Sequence, residues 1–157
     1  MTAEERLAAL EQRLRRVEDE LAISRLLASY GPLVDAGDAD AVAELWAEDG
    51  EYDVEGWHMR SRADVADMVR SSAHQGLIRG GSAHFLGPVH VDVDGDDAVA
   101  VCESILVRRS DDGSGYRVWR AGANRITLRR AASGWQIVKR MTRALDGSEE
   151  ARALLRH

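Results

Sequence analysis

"SYGPLVDAGDADAVAELWAEDGEYD", Ser29 to Asp53, carries the chain from helix into sheet. It is entered on Ile23, Leu26, Leu27, Tyr30 and Leu33, apolar at the spacing of a helix that buries one face. Gly31-Pro32 is expected to kink that helix or end its regular part, because proline removes a donor and crowds the preceding turn. "DAGD" then closes it, with Gly37 suited to a left-handed turn. Asp38 or Asp40 can cap a short second helix carrying Val42, Leu45 and Trp46. "EDGEYDVEGWHMR" reads as a small strand pair turning near Glu55-Gly56. Asp38 and Asp40 fit turn and cap chemistry well. Asp35 fits it less well, because it shares a helical stripe with Leu27, Leu21 and Leu14 unless Pro32 rotates the phase. A carboxylate on an apolar stripe needs a partner, or its desolvation costs several kcal/mol.

Upstream, Thr2 and Glu5 have the spacing of a capping box. Leu7, Leu10, Leu14, Val17 and Leu21 follow at alternating three- and four-residue steps, a narrow seam with charges elsewhere. The seam covers only about two heptads, which favours packing on its own domain or on a neighbouring subunit over a free coiled coil. Downstream, Ser61 can cap a third helix whose apolar face is Val65, Met68 and Val69. "QGLIRGG" reads as a flexible connection.

From Ser82 the period becomes two. "SAHFLGPVHVDV", "DGDD" and "AVAVCESILVRR" read as one hairpin; "YRVWRAGANRITLRR", "AASG" and "WQIVKRMTRA" read as another. Gly122 and Ala123 suggest a bulge or bend mid-strand. In the last strand, strict alternation sets Gln136, Val138, Arg140 and Thr142 on one face, and Trp135, Ile137, Lys139 and Met141 on the other. Residues 145–157 read as a frayed helical tail. Three helices, one long and two short, before a mostly antiparallel sheet give an α+β domain over residues 1–157, with residues 1–17 as a helical extension.

Composition narrows the function classes. The 157 residues are 45% hydrophobic and 31% charged, which suits a folded domain. A net charge of −6 and no basic stripe argue against nucleic acid. No apolar run approaches the roughly 20 residues of a membrane span. The charged start "MTAEERLAAL" lacks a signal-peptide core, and Cys102 stands alone, so a cytoplasmic protein is expected. His58, His74 and His90 have no metal spacing with any carboxylate, and "DVDGDD" lacks the closing Glu of a calcium loop. No phosphate loop, dinucleotide fingerprint or nucleophile elbow is present, so neither metal nor cofactor is expected.

The order helix, "YGPLVDAGD", short helix with Trp46, "DGEYD", "AHFLG", "ASGWQIVKR" resembles the SnoaL-like branch of the nuclear transport factor 2 superfamily, over roughly Glu18 to Arg143. The resemblance implies a cone-shaped barrel, a strongly bent sheet wrapped around the long N-terminal helix, with a deep apolar pocket and frequent assembly into dimers or trimers. Scytalone dehydratase and bile acid 7α-dehydratase are members, as are isomerases, polyketide cyclases and non-catalytic dioxygenase β-subunits, so the fold alone constrains function weakly. By position, Tyr30, Asp35 and His84 match the catalytic Tyr, Asp and His of the dehydratase-like members. Tyr52 and Asn124 match pocket residues of scytalone dehydratase, and Arg140 matches an assisting Arg of a further member, a hexachlorocyclohexane dehydrochlorinase. The departures are equally specific. A second catalytic His on the following strand has only Val107 or Arg108 in its place. The nearest carboxylate there, Glu103, is in poor register.

These residues suit one chemistry. A neutral imidazole can take a proton from a carbon beside a carbonyl, and a carboxylate on its other nitrogen fixes the tautomer. His84 would be that base and Asp35 its partner. Tyr30 would assist as acid or donor, with Tyr52, Asn124 and Arg140 binding substrate; Arg143 is the rival if Arg140 faces outward. The expected function is a cofactor-independent dehydratase or isomerase acting on an apolar oxygenated ring compound, steroid-like or polyketide-like. The alternative is a non-catalytic ligand-binding or assembly subunit with the same fold. Bland readings stand beside each residue: a core histidine, a helix-ending aspartate, a core tyrosine and a solvated strand arginine.

Overall fold

The computed structural model describes residues 1–157. Helix α1 runs from Ala3 to Asp35, opened by a capping box in which Thr2 and Glu5 bond each other's backbone. Pro32 does not end it. The helix continues to Asp35, and Gly37 takes the left-handed turn at φ 74°. Helix α2 (Ala39–Glu44) starts on the side chain of Asp38, and α3 (Arg62–Arg70) on that of Ser61. The connection expected to be flexible is instead α4 (Ser72–Gly80), capped by Ser71 and stopped at Gly81, φ 91°. Two internal glycines hide this helix in the sequence. The tail is not frayed: α5 (Glu149–Leu154) packs Ala151 and Leu154 against Ala123. The short helices thus number four rather than two.

Seven strands form one bent, mixed sheet that does not close. They are β1 (Trp46–Val54), β2 (Trp57–Met59), β3 (Ser82–Leu86), β4 (His90–Asp94), β5 (Asp97–Arg109), β6 (Tyr116–Ala131) and β7 (Gly134–Ala144). The order is β2-β1-β7-β6-β5-β3, with β4 also on β5; β1 and β7 are parallel and the other pairs antiparallel. Gly87-Pro88 splits the strand expected over residues 82–93 into β3 and β4, both paired to β5, since proline cannot donate to the ladder.

The core lies where α1 crosses the sheet. Ile23, Leu27, Tyr30 and Val34 are buried against Trp46, Ile126, Leu128 and Ile137. The stripe proposed through Leu14 and Leu21 is not the buried one: both are exposed, and Asp35 stands one residue past the true core stripe. Asp19 anchors the helix, accepting from both terminal guanidinium nitrogens of Arg130 at 2.7 and 2.8 Å and from the indole N–H of Trp135 at 3.1 Å.

Two irregularities differ from expectation. The ladder runs unbroken through Gly122 and Ala123. The glycine serves close packing instead: a Cβ there would meet Ser104 Oγ at 3.0 Å and Thr142 Cγ2 at 3.3 Å. Register shifts lie elsewhere: at Trp119 of β6, skipped between the pairs Leu106–Arg120 and Val107–Val118, and at Val138 of β7, where Leu128 pairs with Ile137 and Thr127 with Lys139. The extra residue at Val138 reverses the alternation in β7. Arg140 and Thr142 therefore turn inward together with Trp135 and Ile137, although strict alternation separates them.

Candidate active site

The end of α1 and the start of the sheet meet at Gly31. A Cβ on this residue would overlap the carbonyl oxygen of His84, so only glycine allows β3 to lie this close to the helix. The close approach brings Asp35 to His84 twice. Asp35 Oδ1 lies 2.7 Å from the ring Nδ1, and Oδ2 accepts the backbone N–H of His84 at 2.8 Å. One carboxylate thus fixes both the strand and the ring. With Nδ1–H donating to Asp35, the lone pair of the neutral imidazole sits on Nε2, which has no partner in the chain. Both side chains are largely buried, at 16% and 24% exposure, which strengthens the interaction relative to a surface pair.

The second feature is a buried guanidinium. Arg140 is 3% exposed and has no carboxylate partner. Its guanidinium carbon lies over the rings of both Tyr30 and Tyr52, 4.4 and 4.7 Å from their centroids. Asn124, fully buried, supports it from behind: Oδ1 accepts from Nε and Nη2 of Arg140 at 3.0 and 2.9 Å and from Thr142 Oγ1 at 2.8 Å. The Asn124 amide nitrogen donates to Ser104 Oγ at 2.9 Å. Burial pushes the Tyr30 hydroxyl well above the usual tyrosine range, and the neighbouring Tyr52 adds to this, while Arg140 pulls the other way. Tyr30 is therefore a neutral hydrogen-bond donor at any physiological pH.

Between these features is a cavity of about 240 Å³, with 11 of its 17 lining residues hydrophobic. His84, Tyr30, Tyr52 and Arg140 all line it. Trp57, Phe85 and Ile105 line it too and are themselves substantially exposed. Arg120, paired to Glu55 at 2.5 Å, is another lining residue.

Asp35 and Asn124 do not line the cavity; each stands behind a residue that does. The expectation that Asn124 contacts substrate is corrected accordingly, since its polar atoms are engaged within the protein. Arg140 rather than Arg143 faces the cavity: Arg143 bonds Asp53 and Glu150. The middle strand supplies no second acid or base. Leu106 pairs with His84 in the ladder, Glu103 is exposed, and Arg108 stacks on Trp119.

Sequence reading missed His74. It comes from α4, lines the cavity and stacks on His84, with ring centroids 5.2 Å apart and planes at 30°. Its Nε2 is buried with no hydrogen-bond partner. Burial first, and then the adjacent His84, lower its pKa below the usual histidine value, while Asp35 acts in the opposite sense. The Ser71 cap was the available signal, because it marks a helix that would carry His74 on its first turn.

Comparison with known proteins agrees with this architecture. No curated protein matches the chain. A nuclear transport factor 2-like protein with a cystatin-like fold from Novosphingobium aromaticivorans shares 47% identity over 96% of this chain and 97% of its own, with a TM-score of 0.92. Hexachlorocyclohexane dehydrochlorinase from Novosphingobium barchaimii is 18% identical over 85% of this chain and 90% of its own, TM-score 0.72. A Catenulispora acidiphila protein in complex with S-DNPA is 16% identical over 79% and 91%, TM-score 0.68. The last two show the fold alone. Residues 15–141 match the SnoaL-like domain, and the chain belongs to that family within the nuclear transport factor 2-like superfamily.

Proposed function

We propose that the protein is a cofactor-independent lyase or isomerase of dehydratase type, with His84 as its base. The observation that carries this reading is the two-point hold of Asp35 on His84, beside an apolar cavity that is not filled by side chains. A solved dehydrochlorinase with the same fold is consistent with elimination chemistry in such a scaffold.

In the proposed reaction His84 Nε2 removes a proton from a carbon next to a carbonyl. The C–H electron pair becomes the new double bond of an enolate. Arg140, with Tyr30 and Tyr52 against it, stabilises the oxyanion, a fixed charge in a dry site requiring little reorganisation. For a β-hydroxy substrate the enolate then re-forms its carbonyl and expels the hydroxyl, which leaves as water with the proton returned by the imidazolium. For an enone the same proton is returned to a different carbon. Asp35 stabilises the imidazolium in both cases.

The cavity is slightly smaller than the roughly 300 Å³ at the low end of small-molecule sites. It favours a compact one- or two-ring oxygenated compound over a four-ring steroid. The test is turnover of a panel of cyclic β-hydroxy ketones and enones by His84→Ala and Asp35→Asn. Both variants are expected to lose at least about 100-fold in kcat, the usual scale of a general base. Activity within twofold of the unchanged protein in either variant overturns the assignment. The non-catalytic reading would be favoured by tight ligand binding with no conversion.

A further inference from the structure

The first half of α1 extends from the domain with an uncovered apolar seam. Leu7, Leu10, Leu14 and Val17 are each 58% exposed and Leu21 is 48% exposed. In heptad terms Leu7, Leu14 and Leu21 are a positions, and Leu10 and Val17 are d positions. Asp19, which binds Arg130 and Trp135 of the body, is then an f position, on the side of the helix opposite the seam. The protein's own sheet therefore cannot cover these leucines.

The charges flanking the seam identify what can. The g positions are Arg6, Arg13 and Glu20; the e positions after them are Glu11, Glu18 and Arg25. In a parallel pair the g residue of one helix meets the next e residue of the other. That gives Arg6–Glu11, Arg13–Glu18 and Glu20–Arg25, three pairs of opposite sign, each occurring twice in a symmetric assembly. Glu20 already takes Arg16 at 3.0 Å within the chain, on the exposed surface, which leaves its second oxygen free. In an antiparallel pair e meets e; of Glu4, Glu11, Glu18 and Arg25 only one is a cation, so glutamates face one another, whereas the parallel pairing leaves no like-charge contact among the flanking positions.

We infer that the N-terminal helix is a docking surface for a second copy of this chain, joined in parallel and in register through Leu7, Leu10, Leu14, Val17 and Leu21. The inference is independent of the proposed reaction. It makes the extension an assembly device that holds two cavities on one stalk.

The test uses the whole chain. Leu14→Cys places like residues opposite each other at an a layer, and mild oxidation is expected to link most of the protein into disulfide-bonded pairs. Gln12→Cys, an f position, is expected to stay unlinked; Cys102 is buried and does not compete. Arg13→Glu is expected to weaken self-association about tenfold, and Arg13→Glu with Glu18→Arg to restore it, read by sedimentation equilibrium. These positions are exposed, so circular dichroism should be unchanged. Cross-linking of Leu14→Cys no better than Gln12→Cys, or an association constant unmoved by Arg13→Glu, overturns the inference.

Discussion

Gly31 packs against the carbonyl oxygen of His84 with no space for a methyl group between them. The contact sets the distance between α1 and β3, and so the reach of Asp35 to the ring. Gly31→Ala must move the strand. Helix propensity favours alanine by about 1 kcal/mol, yet the variant is expected to be less stable and to lose the Asp35–His84 bond. Urea unfolding reads the first effect; the chemical shift of the His84 ring proton reads the second.

Asn124 is expected to matter for stability through Arg140 rather than through substrate. Asn124→Ala removes the acceptor for two guanidinium N–H groups in a dry site and should cost about 3 kcal/mol. Asn124→Asp supplies a buried counter-ion instead. It should retain more stability than the alanine variant but reduce turnover, because the Arg140 charge offered to an oxyanion is then neutralised. Equal stability of the two variants would contradict this role. Denaturant midpoints and kcat, measured on the same preparations, separate the two effects.

His74 gives a pH dependence whose sign is fixed by its surroundings. Its pKa is lowered in the folded state, chiefly by burial. Below the ordinary histidine value of about 6.5 the unfolded chain binds the proton more readily. Stability is therefore fully present above that pH and falls as pH drops towards the folded value. His74→Phe keeps an aromatic ring beside His84 and removes the proton. Its stability should vary less between pH 7.5 and 5.5 than that of the unchanged protein, as thermal melts across that range would show.

Much of the fold was legible because its signals are local. The Thr2–Glu5 box, the Asp38 and Ser61 caps, Gly37 and the period-two strands each act within a few residues. What escaped depends on contacts between distant segments. Strict alternation sets Arg140 apart from Trp135 and Ile137, but the extra residue at Val138 is defined only by pairing with β6. Glycines masked α4, and with it His74. The motif order placed Asp35 near His84, but the reason they can meet, the missing Cβ of Gly31, lies in the packing of α1 on β3. Asn124 illustrates the opposite case: the sequence marks a polar residue in a strand, and only its three bonds at Oδ1 show that it supports Arg140.

The central claim is that Asp35 holds His84 with its basic nitrogen towards the cavity. Long-range nitrogen–proton NMR on histidine-labelled protein, with the ring held neutral at mildly alkaline pH, measures this without a substrate. His84 is expected as the Nδ1–H tautomer, with a strongly deshielded ring proton that disappears in Asp35→Asn. An Nε2–H tautomer in the unchanged protein, or a spectrum indifferent to Asp35→Asn, would contradict it.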